Sequence, residues 1–593
     1  MMISGMQILH GLISEAKIMK RSGLLKSFAI AIVSSLIISC GAGSAPPVQV
    51  SVYGPPGKGQ SLSGATIIRV SLSGPDIPTE IKSSAFLLNS EIKIPMPEIS
   101  FGDNRQIEVM LCKTDCNPVT QGEVIAKGYS APFSVHAGDD NLDIFVYVTL
   151  IDKFSPTAVS YQSQGVKASH PKANTLMGSR SVVLQDGRVL ITGGATVKGT
   201  TYAEVLKPEN VMQVFNTAII YDPNSNIFTT LTNGMNMPRA YHTMTLLSDG
   251  RVFICGGFTG TTNGPGVTKL CEIFNPDTNE FDMPKDGKGK VLTQMAWARA
   301  MHTATLVGDT NGLGVQNVLF AGGVKGSGNG GLNNWEIYNV KAHGDVAYGT
   351  SLSTARWNHT AVLLNNYAVS LGTPKKVVLL IGGENSSDVL KTVDVIDLQC
   401  NLSGDDSKRA DKTGACVNPG VGGTASNGPI TIPGPGRTLA STVYEPSRRL
   451  FYLIGGFTKK DYSTATDRID VFYEYKGVFS ASLSAGNYLT LSNPRAAGSA
   501  VLQFENGLNA VLVSGGVLFP KSGKTGPTAT AEVIMEVPQQ GSIHLQVTTV
   551  GDDMGTAMVG NQAVMLNTGR AMIFGGLSGN LAPNTDAYLY TFQ

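Results

Sequence analysis

The chain has 593 residues, with 45 Lys and Arg against 44 Asp and Glu for a net charge of +1, and 69 glycines. That balance excludes a polybasic surface for nucleic acid or for an acidic membrane, and the glycine content favours a turn-rich β protein. The length allows several domains, although repeat folds run longer than ordinary ones.

The N-terminus reads as an address. Residues 1–26 carry Lys17, Lys20, Arg21 and Lys26 against a single acid, Glu15. Residues 27–39, SFAIAIVSSLIIS, form an apolar run shorter than the roughly 20 residues needed to span a bilayer. A basic start followed by a short apolar core is an export signal, with Met19 an alternative start. The segment Ile37-Ile38-Ser39-Cys40 resembles the lipobox of bacterial lipoproteins. The resemblance implies cleavage before Cys40 and a lipid anchor on that residue; the alternative is an ordinary signal peptide with an incidental Cys. Gly41, rather than Asp, follows the Cys, so an outer-membrane or cell-surface location is expected.

Seven cysteines occur, and setting Cys40 aside for the lipid leaves six. In an exported chain an even remainder suggests disulfides, and proximity favours Cys112–Cys116, Cys255–Cys271 and Cys400–Cys416 among the 15 connectivities that six allow. No Cys-x-x-Cys pair with clustered His occurs, which argues against zinc.

Residues 41–47, GAGSAPP, form a tether after Cys40. Between 48 and 152 come short runs of period two, including VQVSVYG, ATIIRVSLSG, RQIEVMLCK and LDIFVYVTLID, separated by turn residues. They predict a small antiparallel β-sandwich of immunoglobulin-like size, serving as a spacer or, alternatively, as a ligand or glycan module. The run KFSP at 153–156 marks a linker.

The rest of the chain repeats. Paired glycines fall at 193–194, 256–257, 322–323, 382–383, 455–456, 515–516 and 575–576, at spacings of 63, 66, 60, 73, 60 and 60 residues. Each pair ends an apolar run such as VLITGG, VFICGG or VLVSGG, and equal spacing means an array of like units. Within a unit the pattern is a strand beginning near an Arg, a turn, a strand ending in Gly-Gly, a variable loop and a third strand such as AIIYDPNSNIF or CEIFNPDTNEF. An Asp or Asn turn then leads to a fourth strand. The Gly-Gly, the aromatic before the Asp or Asn turn and the period resemble the kelch family over about 175–593. The resemblance implies an all-β fold, a seven-bladed β-propeller of four-stranded sheets within 153–593. The last unit ends on its third strand, AYLYTFQ, and a strand near 157–166 is expected to complete its sheet and remove open edges.

Three units open alike: Arg239-Ala240-Tyr241-His242, Arg299-Ala300-Met301-His302 and Arg356-Trp357-Asn358-His359. Two keep only the Arg, at Arg437 and Arg495. These residues form a candidate binding face at one mouth of the channel, suited to an anionic or sugar ligand. The third strands carry acids at a fixed place, Glu272, Glu336, Asp394, Asp470, Glu532 and Asp586. The competing reading is therefore one buried Arg–carboxylate pair per unit, and repetition favours it because a ligand site needs asymmetry. Arg-x-Tyr-His-Thr before Leu-x-Asp-Gly-Arg-Val also resembles galactose oxidase and glyoxal oxidase, kelch-type copper enzymes. That resemblance would make Tyr241 and His242 copper ligands. It also requires a second Tyr cross-linked to a Cys and a second His from a later domain, and the remaining His do not supply a converging set.

No nucleophile elbow, zinc-protease helix or Walker loop occurs. No catalytic residue and no metal site is assigned, so binding is expected rather than catalysis, without a cofactor; the alternative is a galactose oxidase-like copper enzyme or another carbohydrate-active enzyme. The long loops at 258–269, 324–334, 400–436 and 517–531 are where variability gathers. The expected partner is a protein or a glycan at the cell envelope, with the membrane reached through the lipid anchor.

Overall fold

A computed structural model describes residues 32–34, 48–53, parts of 62–157 and, with short interruptions, 177–398 and 430–592. The chain divides into two compact units, Met1–Leu150 and Ile151–Gln593. Apart from a strand at Ile32–Ser34 that pairs antiparallel with Val50–Val52, the expected signal, Cys40 and the tether lie outside the described residues. No helix among the described residues is long and apolar enough to cross a membrane.

In the first unit, the strand Gly102–Cys112 pairs antiparallel with Ile67–Ser73 and with Val124–Tyr129. Alternate residues of these strands, among them Val70, Leu72, Ile107, Val109 and Leu111, share one core with Val50, Val52 and Val146. One pairing departs from the antiparallel expectation: Val48–Tyr53 runs parallel to Leu142–Tyr147. These strands lie far apart in sequence, so no hairpin dictates opposite directions. A disulfide joins Cys112 to Cys116 at the end of the central strand.

The second unit is almost entirely β. Among its described residues, seven antiparallel sheets share one plan of four strands in a row. Their first strands are Arg180–Val183, Thr243–Leu246, Thr303–Gly308, Thr360–Tyr367, Ser441–Glu445, Ser499–Glu505 and Gln562–Met565. Successive first strands lie side by side, and the last lies beside the first; Thr360 and Thr442 join the fourth and fifth sheets through a hydroxyl contact of 3.0 Å. The sheets therefore form a closed ring around a central channel. Second strands such as Val252–Cys255 and Asn317–Ala321 are buried throughout. Packing against sheets on both sides explains why they read as continuous apolar runs rather than alternating ones. The disulfide Cys255–Cys271 joins the second and third strands of the second sheet, whereas Cys400 and Cys416 lie outside the described residues.

The ring closes slightly upstream of the expected place. The strand that pairs with Ala587–Tyr590 is Phe154–Pro156, in the stretch read as a linker. Phe154 supplies the reason: it is buried against Tyr590, with ring centroids 5.0 Å apart, in the core of the last sheet. Of the segment expected to close the ring, Thr157 alone is described; its N–H donates to Ala587 O at 2.9 Å.

The recurring Gly-Gly is a joint between sheets. Gly256 has φ +66°, and a Cβ there would stand 2.5 Å from the carbonyl oxygen of Arg299; only glycine tolerates both conditions. Gly257 N–H donates to that same oxygen at 2.9 Å, and Gly194 to Arg239, Gly323 to Arg356, Gly383 to Arg437 and Gly456 to Arg495 do likewise at 2.8–2.9 Å. One sheet's Gly-Gly is thus tied to the arginine that opens the next.

Candidate functional site

The five repeat arginines turn their side chains inward. Arg239 Nε donates to Glu272 Oε1 at 2.8 Å, Arg299 Nη2 to Glu336 Oε1 at 2.7 Å, and Arg356 Nη2 to Asp394 Oδ2 at 2.7 Å. Arg437 pairs with Asp470, and Arg495 reaches Glu532 at 3.4 Å. The first four pairs have no side-chain exposure at all. Nη1 of four of them also donates to the first glycine carbonyl of its own unit, as Arg299 does to Gly322 O at 2.7 Å and Arg495 to Gly515 O at 2.7 Å, whereas Arg437 Nη1 donates to Leu453 O at 3.1 Å. Burial pulls the Arg239, Arg356 and Arg495 pKa values down, and their partner carboxylates oppose it. These guanidiniums hold carboxylates of their own repeat, and of the five only Arg437 also borders a described cavity. The sixth acid, Asp586, accepts instead from Thr556 Oγ1 at 2.7 Å, since Met558 stands at the arginine's place.

The histidines also bind sheet to sheet. His242 Nε2 lies 2.8 Å from Thr192 Oγ1, His302 Nε2 3.2 Å from Thr243 Oγ1, and His359 Nε2 3.0 Å from Thr303 Oγ1. Burial, reinforced by nearby arginine charge, holds all three well below the usual imidazole pKa, so they are neutral at pH 7. A backbone ring runs alongside: Tyr241 N–H donates to Gly178 O, Met301 to Tyr241 O, Asn358 to Met301 O, Ala497 to Leu439 O and Gly560 to Ala497 O. Tyr241, Met301, Asn358, Leu439 and Ala497 all hold φ between +50° and +54° to make it. Such strained φ values persist only where the surroundings over-determine them. Five dissimilar side chains share that conformation, so no residue pattern announces it.

The mouth that carries the Arg and Gly-Gly positions is covered. Ala195–Val197 pairs with Val211–Val214, and between them a short helix, Tyr202–Val205, is closed by a capping box of Thr201 and Glu204. This excursion reaches across the ring: the Tyr202 ring stacks on Phe457 of the fifth unit at 6.4 Å and meets Phe519 of the sixth edge-on at 6.1 Å. Val205, Leu206, Val211 and Val214 join one buried cluster with Ala240, Ala300, Trp357, Val517 and Leu577. Those partners follow an Arg or a Gly-Gly. Tyr241 is part of the same cluster; burial pushes its phenol up to about 12, and the hydroxyl has no hydrogen-bond partner among the described residues. The expected binding mouth is therefore the floor of an apolar lid.

One polar residue interrupts that floor. The residue after Gly-Gly is Ala195, Phe258, Val324, Phe457, Val517 and Leu577 in six units, but Glu384 in the fourth. Glu384 is 2% exposed. Its Oε1 accepts from Asn358 Nδ2 at 2.9 Å, Tyr462 Oη at 2.8 Å and Thr438 Oγ1 at 3.3 Å. Burial raises its pKa, and these three donors oppose the rise. Oε2 has no hydrogen-bond partner among the described residues. Glu384 borders a cavity of about 320 Å³ with Trp357, Tyr462, Lys207, Glu209 and Lys460. A second cavity, of about 190 Å³ and bordered by Arg180, His302, Asn358 and His359, lies in the central channel. Sequence reasoning passed over both Glu384 and the 195–214 excursion. The detectable signal was a break in the repeat, an acid where the other units carry an apolar residue.

No protein-family model matches the chain, and no curated protein matches it. Among solved structures, that of YjhT aligns over 64% of this chain and 99% of its own, at 14% identity and a TM-score of 0.39. A fungal alcohol oxidase of the AA5 family, solved in complex with copper, aligns over 70% of this chain and 74% of its own, at 14% identity and a TM-score of 0.40. Likenesses this distant carry no argument about the site. Copper can be judged on the residues themselves. His242 is engaged with Thr192 and the Tyr241 ring packs edge-on against Phe258. Among the described residues no three His, Cys, Asp or Glu stand together as a metal set. The donors do not fit a copper centre.

Proposed function

We propose that the chain is an exported lipoprotein, lipidated at Cys40 and held in the bacterial envelope, whose second unit is a seven-bladed kelch-type β-propeller that binds glycan. The seven four-stranded sheets and their closed ring support the propeller, and the lipobox-like segment supports the anchor. The observation that carries glycan binding is Glu384: a buried carboxylate with one free oxygen, set in a cavity beside Trp357 and Tyr462 and rimmed by Lys207 and Lys460. A carboxylate accepts hydrogen bonds from sugar hydroxyls, and indole and phenol rings offer flat apolar faces to the C–H side of a sugar. A concave space of this volume takes a small molecule or the end of a chain, not a flat protein surface. The first unit then spaces the propeller from the anchor.

A glycan array probed with the purified full-length protein is expected to show selective binding. Glu384→Gln keeps the shape but loses the charged acceptor, and is expected to weaken binding about 10- to 100-fold. Tyr462→Phe, which removes one donor to Glu384, is expected to have a smaller effect. Absence of any selective binding, or equal binding by wild type and Glu384→Gln, would overturn the glycan reading. For the anchor, Cys40→Ala is expected to shift the protein from the membrane fraction to the soluble one; unchanged fractionation refutes lipidation at Cys40.

A further inference from the structure

Arg180 opens the first strand of the first sheet. At its place the other units carry Thr243, Thr303, Thr360, Ser441, Ser499 and Gln562. Several of those side chains bond directly across to an adjoining sheet: Thr243 with His302, Thr303 with His359, Thr360 with Thr442, and Ser499 with Asn561. Arg180 does nothing of the kind. Its Nη1 donates to the neighbouring Ser179 O at 3.1 Å, and its Cζ lies 6.0 Å over the ring of Tyr241. Nε and Nη2 have no hydrogen-bond partner, and no carboxylate forms an ion pair with Arg180, among the described residues. Each of the five repeat arginines, by contrast, holds an acid.

Arg180 borders the channel cavity with Asn358, Thr360, His302, His359 and Arg437. That lining has two guanidiniums and no carboxylate. Asp470 compensates Arg437, and nothing described compensates Arg180. Arg180 is partly buried with the Tyr241 ring as its only described side-chain partner, and a cation drawn partly out of water without a carboxylate beside it is costly. A unit that uses Thr or Ser elsewhere would lose no joint by having one here, so the repeat does not explain the arginine. At about 190 Å³ the cavity has room for about six water molecules, each taking about 30 Å³. That suits a small solute, not a polymer.

We propose that Arg180 holds the acidic group of a small anion, a carboxylate or a phosphate, in the central channel. The planar guanidinium fork offers parallel N–H donors to two oxygens of either group, and the Asn358 and Thr360 positions border the same space. This site shares no charged residue with the Glu384 pocket; Asn358, which donates to Glu384, borders it, but the Arg180 variants leave that bond in place, so either reading can fail without the other.

The test is the thermal midpoint of the full-length protein, at constant ionic strength set with chloride, against acetate, glucuronate, inorganic phosphate and sulfate at about 10 mM each. At least one is expected to raise Tm by about 3 °C in a saturable way. A response to acetate or glucuronate alone assigns a carboxylate, and a response to phosphate alone a phosphate. Arg180→Gln and Arg180→Thr, which copy the side chains of other units, are expected to keep the far-ultraviolet dichroism and lose the shift. Arg180→Lys is expected to weaken it about 10-fold, and Arg188→Gln on the outer hairpin is expected to retain it. No saturable shift with any of the four anions, or a shift that persists in Arg180→Gln and Arg180→Thr, overturns the proposal.

Discussion

Replacing Arg299 with Ala is expected to lower the unfolding free energy by about 3–5 kcal/mol, the range found when one partner of a buried ion pair is removed. The magnitude follows from what would be left behind. Glu336 has no side-chain exposure, so its Oε1 would remain in a dry interior with its counter-charge gone. Glu336 Oε2 would still accept from Ala296 N–H at 2.6 Å, which holds the carboxylate in place rather than letting it turn to water. The carbonyl of Gly322 would lose its donor as well. Urea unfolding of the purified protein measures the loss. The double variant Arg299→Met/Glu336→Leu is expected to recover at least about 2 kcal/mol, because it removes the charge along with its partner. A ligand-facing arginine would behave differently: Arg299→Ala would keep its stability and change only binding. A loss under about 1 kcal/mol would therefore return these arginines to the list of ligand contacts.

How far the fold could be read in advance depended on whether a feature repeats. Gly-Gly recurs because each pair meets the same Arg carbonyl across the same gap, so one geometric constraint is written many times in one alphabet. The buried Arg–acid pairs were legible for the same reason, since Arg239 with Glu272 and Arg356 with Asp394 each join the arginine that opens a unit to the acid on its third strand. Closure was harder to place. Phe154–Pro156 carries only three residues of pairing, and what selects them is the fit of Phe154 against Tyr590 in a sheet assembled from opposite ends of the chain. The lid was not legible at all. Tyr202 meets Phe457 and Phe519, more than 250 residues away, and nothing local to 195–214 reveals that contact.

The candidate sites show the complementary rule. A side chain that serves the repeat must recur with it, so residues free to serve a ligand stand where one unit departs from the others. Glu384 departs from a row of apolar residues, and Arg180 departs from a row of Thr, Ser and Gln. Arg239, Tyr241 and His242 looked chemical because Arg, Tyr and His often are. In this ring Arg239 Nε is held by Glu272, the Tyr241 ring packs on Phe258 and His242 Nε2 is engaged with Thr192. Asymmetry measured against the repeat, rather than residue type, is what the two proposed sites have in common.

Acid should loosen the ring before it protonates most carboxylates. His242, His302 and His359 are held well below their ordinary pKa, first by burial and then by nearby arginine charge. The unfolded chain therefore binds protons that the folded chain refuses, and stability falls as pH drops through about 6.5. Each group can lose at most about 1.4 kcal/mol between pH 7.5 and pH 5.5, the limit set by its unfolded pKa, so the three together lose at most about 4 kcal/mol. Glu384 works in the opposite sense, since its raised pKa lets the folded state take up a proton first, but it is one group against three. The repeat supplies its own control. Asn561 stands at the histidine position of the last unit and donates from Nδ2 to Ser499 Oγ at 2.7 Å, making with an amide the bond that His302 makes with Thr243. His302→Asn is accordingly expected to keep its stability at pH 7.5 to within about 1 kcal/mol. Its loss between pH 7.5 and pH 5.5, read from urea midpoints, should be about one third smaller than that of the wild type. Identical losses in the two proteins would mean that His302 titrates in the fold as it does in the unfolded chain, and a larger loss in His302→Asn would mean that His302 carries its proton inside the fold, with the hydroxyl of Thr243 accepting from a charged ring.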